Sequence, residues 1–352
     1  MIIAGPCAAE SKEQVLMTAL RLANMARKDP DEQWVFRAGI WKPRTSPDTF
    51  QGVGKKGLAW LQRVKEETGL PVATEVATPE HIRLALAAGI DYLWLGARTT
   101  ANPILVQSLA DTLAEEVKAG AWCTVLVKNP VNEDGGLWAG NIERIQRAGC
   151  PVVAVLRGCN HRPCWGMAHI FRMTYPNIPM LIDPSHIGGD RKKILPLLQK
   201  GKELQFDGAM IEVHISPDSA LSDSRQQITP TLLDEILRTV GMPFDARELP
   251  AKAGTNNALA WYRAQIDEID DQLWDLIAQR MQVSKRIGIW KHTHEIPCYQ
   301  PTRYEQMVSD RIAWGEQNKI DAETIKGIYD IIHSASLKKQ EDADKIIKNI
   351  QS

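Results

Sequence analysis

The chain has 352 residues, with 42 Lys or Arg against 43 Asp or Glu and a formal net charge of −1. A balance so close to neutral excludes nucleic-acid binding and membrane adhesion driven by bulk charge, although small anions need only local cations. No apolar run approaches the roughly 20 residues that span a bilayer, and six scattered cysteines without a disulfide framework or a leading export signal place the chain in a reducing cytoplasm.

From Met1 to about Val240 short β-rich runs alternate with amphipathic segments of helical length. In chain order the runs are MIIAG (1–5), WVFRAGI (34–40), PVATEV (71–76), DYLWLGA (91–97), WCTVLVK (122–128), PVVAVLR (151–157), PMLID (179–183) and GAMIEVH (208–214). Segments such as 13–28, 79–88, 103–119 and 191–201 carry apolar residues at helical spacing. Eight βα units over residues 1–240 predict an α/β fold of the (β/α)8 TIM-barrel kind. A doubly wound open sheet is the alternative, but no GxGxxG follows the first strand.

Residues 241–257 hold two prolines and two glycines with little apolar periodicity and read as a linker. Beyond them, residues 258–352 read as a small all-α three-helix domain. Its first helix runs from 259 to about 291, a second from about 303 to 317 after Pro297 and Pro301, and Asp321 caps a third reaching about 350. Three helices of such unequal length cannot bury their apolar faces well alone, so an intertwined homodimer or larger homo-oligomer is expected, with packing against the barrel as the alternative.

Catalytic groups of such barrels lie at the C-terminal strand ends. The predicted strands end in or near Cys7; Lys42, Arg44 and Thr45; Glu75; Arg98; Lys128; Arg157; Asp183 and His186; and Glu212 and His214. Each alone is an ordinary loop residue, but their recurrence in every unit points to a site. Lys42, Arg44, Arg98, Lys128 and Arg157 form a cationic cluster that repels itself unless phosphates or carboxylates neutralise it. Cys7, His186, Glu212 and Asp223 combine thiolate, imidazole and carboxylate donors. That mixture suits one divalent ion, Mn²⁺, Fe²⁺, Co²⁺ or Zn²⁺, rather than Mg²⁺. Alone, Cys7 would read as a small buried hydrophobe.

The strand-end residues lie within GPCAAES (5–11), KPRTSPDTFQGVG (42–54), TEV (74–76), GARTTANP (96–103), VLVKNP (125–130), LRG (156–158), DPSH (183–186), DGAMIEVH (207–214) and ALSD (220–223). As a set they resemble DAHP synthase of the type I-beta group along the whole barrel. The related KDO 8-phosphate synthases, which remain an alternative, usually carry a KANRSS-like word where this chain has KPRTS. The resemblance therefore implies condensation of phosphoenolpyruvate with erythrose 4-phosphate rather than arabinose 5-phosphate. It makes Cys7, His186, Glu212 and Asp223 metal ligands, with His186 also counted as catalytic. Arg98, Lys128 and Arg157 hold phosphoenolpyruvate, Lys42 lies near its carboxylate or reacting carbon, and Arg44 and Thr45 take the aldose phosphate.

The C-terminal helices resemble the all-helical chorismate mutases through Arg263, Arg280, Lys291, Arg303, Ser336 and Gln340. The resemblance implies cations for the two carboxylates of chorismate, with Lys291 and Gln340 as donors to its ether oxygen. Arg263 and Arg280 stand about 25 Å apart along one helix at roughly 1.5 Å per residue, so one of them serves a partner chain's site. Gln300 stands where Asp is frequent and Tyr304 where Glu is frequent. These departures motivate an alternative in which the helical part is mainly a dimerisation and sensor module. Fusion of an early activity to a later one also implies feedback control of the barrel by prephenate.

Overall fold

The computed structural model describes residues 1–44, 46–241 and 255–351. The chain forms two compact units, Met1–Glu268 and the residues from Ile269 onward. In the first, eight strands form a closed parallel barrel in sequence order: β1 Ile2–Gly5, β2 Trp34–Arg37, β3 Val72–Val76, β4 Tyr92–Leu95, β5 Thr124–Lys128, β6 Val152–Leu156, β7 Met180–Ile182 and β8 Gly208–Glu212. The helices between them are α1 Lys12–Ala26, α2 Lys56–Thr68, α3 Pro79–Ala87, the one-turn α4 Ala97–Thr100, α5 Pro103–Lys118, α6 Gly135–Arg147, α7 Trp165–Thr174, the short α8 Pro184–Gly188 and α9 Ile194–Glu203. Helix α10, Pro230–Val240, follows β8. The segment expected to be helical from Arg191 opens as a 3-10 turn, Arg191–Lys193, before α9 begins.

Local chemistry explains where these helices start. Side chains of Ser11, Thr78, Asn102, Asp134 and Thr229 accept backbone N–H groups at the N-termini of α1, α3, α5, α6 and α10. Proline opens α3, α5 and α10, where no N–H is needed. Each such cap contributes about 1 kcal/mol.

The strand period of two divides the core into two layers. Ile2, Trp34, Phe36, Leu93, Val125 and Ala154 face the helices, while Ile3, Val35, Ala73, Trp94, Leu126, Val155, Leu181 and Met210 fill the barrel. One step of two residues beyond this inner layer reaches Arg37, Glu75, Lys128, Arg157, Asp183 and Glu212 in turn. The alternation that packs the barrel therefore also lines its mouth with charge. Closure pairs Gly5 with Glu212, which brings the segment leading to Cys7 beside the end of β8.

Helix α11 runs Thr255–Thr293, so the expected linker, 241–257, falls almost wholly outside the described residues apart from Gly241 and the helix start. Within the first unit Trp261 is buried against Trp165 and Phe206, and the Glu268 carboxylate accepts the N–H groups of Cys164 and Trp165 at 2.9 Å. Those residues open α7, so Glu268 caps a barrel helix. The second unit contains the rest of α11, then α12 Pro301–Gln317 and α13 Ala322–Gln351. Asp321 caps α13 as expected, its carboxylate accepting from Thr324 N at 2.8 Å.

Candidate active sites

The barrel mouth is a cavity lined by Arg37, Lys42, Arg44, Glu75, Trp94, Arg98, Lys128, Arg157, His186 and Asp223. Lys42 Nζ donates to Glu75 Oε2 at 2.9 Å, and Lys128 Nζ to Asp183 Oδ2 at 2.7 Å. Burial would lower the Lys42 ammonium, yet Cys7 and Glu75 together push it above the ordinary lysine value. Lys128 shifts the other way, because burial outweighs the help of Asp183. Burial would raise Glu75 and Asp183, but neighbouring cations hold both below the usual carboxylate range: Lys42 for Glu75, and His186 with Lys128 for Asp183. Gly96 follows from this packing, since a Cβ there would lie 2.1 Å from Glu75 Oε1.

Cys7, Glu212 and Asp223 bring ligand-type atoms within 4.8 Å of one another. The Cys7 thiol donates to Asp223 Oδ2 at 3.0 Å, and burial, then Glu212, pushes its pKa far up. His186 is oriented by Asp183, whose Oδ1 lies 3.0 Å from its Nδ1 and also accepts its backbone N–H at 3.1 Å. Nε2 then faces Glu212, 3.7 Å from Oε1. Asp223 adopts a left-handed backbone with φ of 49°, a conformation that Asp tolerates better than most residues and that tends to mark functional loops. Arg44 Nη1 reaches the same carboxylate at 3.6 Å.

Of the remaining barrel residues singled out in the sequence, Arg98 is exposed and reaches Pro43 O at 3.4 Å, while Arg157 is half-buried and reaches Gly158 O at 3.0 Å. Thr45 lies outside the described residues. His214 is buried away from the cavity, its Nε2 3.6 Å from Glu10. The residue that sequence reasoning missed is Arg37. Its guanidinium is 1% exposed, lies 4.7 Å from the Trp94 ring centre, and donates through Nη2 to Glu212 Oε1 at 3.2 Å. Nε and Nη1 are buried without a partner. Alternation gave the available signal: Arg37 stands two residues beyond the inward Val35. The mouth therefore gathers six cations against the carboxylates of Glu75, Asp183, Glu212 and Asp223.

In the second unit Arg280 donates to Ser336 Oγ and, at 3.4 Å, to Ile332 O. Lys291 donates to Cys298 O at 2.6 Å. Gln340 is buried with Oε1 unpaired, and a Cβ at Gly288 would lie 2.6 Å from its Cα, so α11 and α13 approach closely there. Arg280, Ser336 and Gln340 thus lie along one contact between α11 and α13, while Lys291 turns to the loop before α12 and Arg303 is exposed on α12. Arg263 is exposed and belongs to the first unit. Gln300 precedes α12 without a side-chain cap, and Tyr304 donates its hydroxyl to Asp330.

Comparison with known proteins follows this division. The model of the DAHP synthetase I family matches residues 1–135 and 154–243, and that of chorismate mutase type II matches residues 262–341. A phospho-2-dehydro-3-deoxyheptonate aldolase of Thermotoga maritima is 29% identical over 263 residues, spanning 70% of this chain and 70% of that protein. A 2-dehydro-3-deoxyphosphooctonate aldolase of Desulfatibacillum aliphaticivorans is 30% identical over 264 residues, spanning 67% of this chain and 89% of its own length. The crystal structure of the Thermotoga maritima DAHP synthase superposes with a TM-score of 0.58 at 27% identity, covering 68% of this chain and 67% of that one.

Proposed function

The chain belongs to the DAHP synthetase I family and carries a type II chorismate mutase domain after its barrel, and from this premise we propose how its residues act. It is a bifunctional shikimate-pathway enzyme, a 3-deoxy-7-phosphoheptulonate synthase and a chorismate mutase. We propose residues 1–240 as the synthase domain, 241–257 as the linker and 258–352 as the mutase domain. The observation that carries the barrel half is the convergence of six cations on a mouth that also holds Cys7, His186, Glu212 and Asp223.

The relatives include aldolases named for two different products, and the KPRTS word favours erythrose 4-phosphate as the acceptor here. Arg37, Arg98, Lys128 and Arg157 hold the phosphate and carboxylate of phosphoenolpyruvate by forked and point-charge contacts. Lys42, fixed by Glu75, stands at the carboxylate or reacting carbon, and Arg44 with Thr45 takes the aldose phosphate. The enol carbon bonds to the aldehyde carbon, water adds to the resulting cationic C2, and the C–O bond to phosphate breaks with its electron pair leaving on phosphate. Burial lowers the Lys128 ammonium, so it gives up a proton more easily than an ordinary lysine as negative charge develops. Positioning and electrostatic stabilisation supply most of the acceleration.

Cys7, His186, Glu212 and Asp223 fit a divalent ion, because one thiolate, one imidazole nitrogen and two carboxylates match the donor preference of Mn²⁺ and its neighbours. An ion held by these four residues would supply Lewis acidity toward the aldehyde oxygen. Asp183 fixes the tautomer and direction of His186.

In the helical domain Arg280 with Ser336 holds a carboxylate of chorismate, while Lys291 and Gln340 stabilise the ether oxygen during a rearrangement that needs no covalent intermediate. Arg263 reaches a partner chain's site and Arg303 adds charge from α12. Ile269, Leu273, Leu276 and Val283 are all exposed on α11, which supports a homodimer or larger homo-oligomer. Prephenate bound here restrains the barrel by feedback.

The six cysteines are free thiols, which supports a cytoplasmic location. Among the described residues no helix is long and apolar enough to cross a membrane. Phosphate release from phosphoenolpyruvate and loss of chorismate, followed on one preparation of the full chain, test both halves. Absence of either turnover contradicts the corresponding half.

A further inference from the structure

The helical site holds a histidine that the roles above leave unused. His333 stands three residues before Ser336 and seven before Gln340, so all three share one face of α13. Its ring lies 4.7 Å from that of Tyr304 and 6.1 Å from that of Tyr299. Nε2 is buried and has no hydrogen-bond partner. Burial, then the charge of Arg280, disfavours the imidazolium, and Lys291 acts in the same sense. The ring is therefore a neutral hydrogen-bonding group within the field of two cations, Arg280 and Lys291. An unpaired buried ring nitrogen is costly, and a ligand that pairs with it relieves that cost.

Chorismate presents two carboxylates, an ether oxygen and one ring hydroxyl. The cations and Ser336 suit the carboxylates, while Lys291 and Gln340 suit the ether oxygen. The hydroxyl is uncharged and calls for a neutral partner. Tyr304 is not free for it, because its own hydroxyl is committed to Asp330, which Lys326 holds at 2.7 Å. We propose that His333 is the specificity-determining contact of the mutase site, hydrogen-bonding the ring hydroxyl of chorismate through Nε2. This rests on the mutase reading of the same residues.

The test compares kcat/KM for chorismate with that for an analogue lacking the ring hydroxyl, using the full-length chain and its His333→Ala and His333→Gln variants. His333→Ala is expected to lower kcat/KM for chorismate by about tenfold, the scale of one neutral hydrogen bond, and to leave the analogue unaffected. His333→Gln, which keeps a polar group, recovers part of the loss, and retained turnover of the analogue reports that the helical part of the variants is folded. Equal losses on both substrates, or no loss on chorismate in either variant, would overturn the contact. No turnover of chorismate by the unaltered chain would overturn the mutase reading itself, and this contact with it.

Discussion

Arg37 and Glu212 meet at 3.2 Å inside the barrel mouth, and the two other nitrogens of the guanidinium have no partner. A buried fork with unpaired donors, held in place by one carboxylate, can receive an anion. Charge-assisted bonds contribute about 1.5–3 kcal/mol each, so Arg37→Ala is expected to lower kcat/KM for phosphoenolpyruvate by on the order of 10²–10⁴. Arg37→Lys restores charge but not the fork, and falls between. Steady-state kinetics check this; an unchanged KM and kcat would remove Arg37 from the substrate site.

Burial and Glu212 push the Cys7 thiol up, so it keeps its proton while hydrogen-bonded to Asp223. A thiolate ligand must lose that proton. Binding of Mn²⁺ at neutral pH is therefore expected to release about one proton per ion, read by calorimetry in buffers of different ionisation enthalpy. Cys7→Ala loses that release and barrel turnover but retains chorismate turnover. Tight Mn²⁺ binding by Cys7→Ala with proton release intact would exclude Cys7 as a ligand.

His333 sets a pH dependence whose sign follows from its surroundings. Burial and Arg280, joined by Lys291 and opposed by Asp330, lower it below the ordinary histidine value of 6.5. A depressed folded value favours the neutral ring, so its contribution to stability is present above 6.5 and is lost as pH falls from there toward the folded value. Mutase kcat/KM is expected to decline at still lower pH, as the folded enzyme titrates through its depressed value, and His333→Gln to flatten that limb. A profile identical in the variant would mean that another group titrates.

Leu273 and Leu276 are exposed on α11 although both are large and apolar. Leu273→Glu is expected to weaken self-association in sedimentation equilibrium and to lower mutase turnover in parallel, because Arg263 would no longer reach a partner chain's site. A monomeric native chain with full mutase activity would contradict this.

Much of this was legible in the sequence because strands and barrel chemistry share one period. Each of the eight runs contains a strand, and Cys7, Lys42, Lys128 and His186 lie just past or at the strand ends, whereas Asp223 comes from the loop after β8 and turns back to Cys7. Arg37 was missed for a specific reason. The run WVFRAGI looks like a strand to Ile40, yet β2 stops at Arg37, so the residue taken as mid-strand is the last inward one. His333 was missed because a lone histidine in a helix carries no motif. Only the close approach of α13 to α11, marked by Gly288 against Gln340, reveals its setting.

The most direct test of the central claim is phosphate release from phosphoenolpyruvate by the chain after EDTA treatment and again after Mn²⁺ is restored, with erythrose 4-phosphate and arabinose 5-phosphate offered separately. Turnover that disappears with the metal, returns with Mn²⁺ and requires the four-carbon sugar is the expected result. Turnover with the five-carbon sugar alone, or turnover that survives complete metal removal, would contradict the chemistry assigned to the barrel.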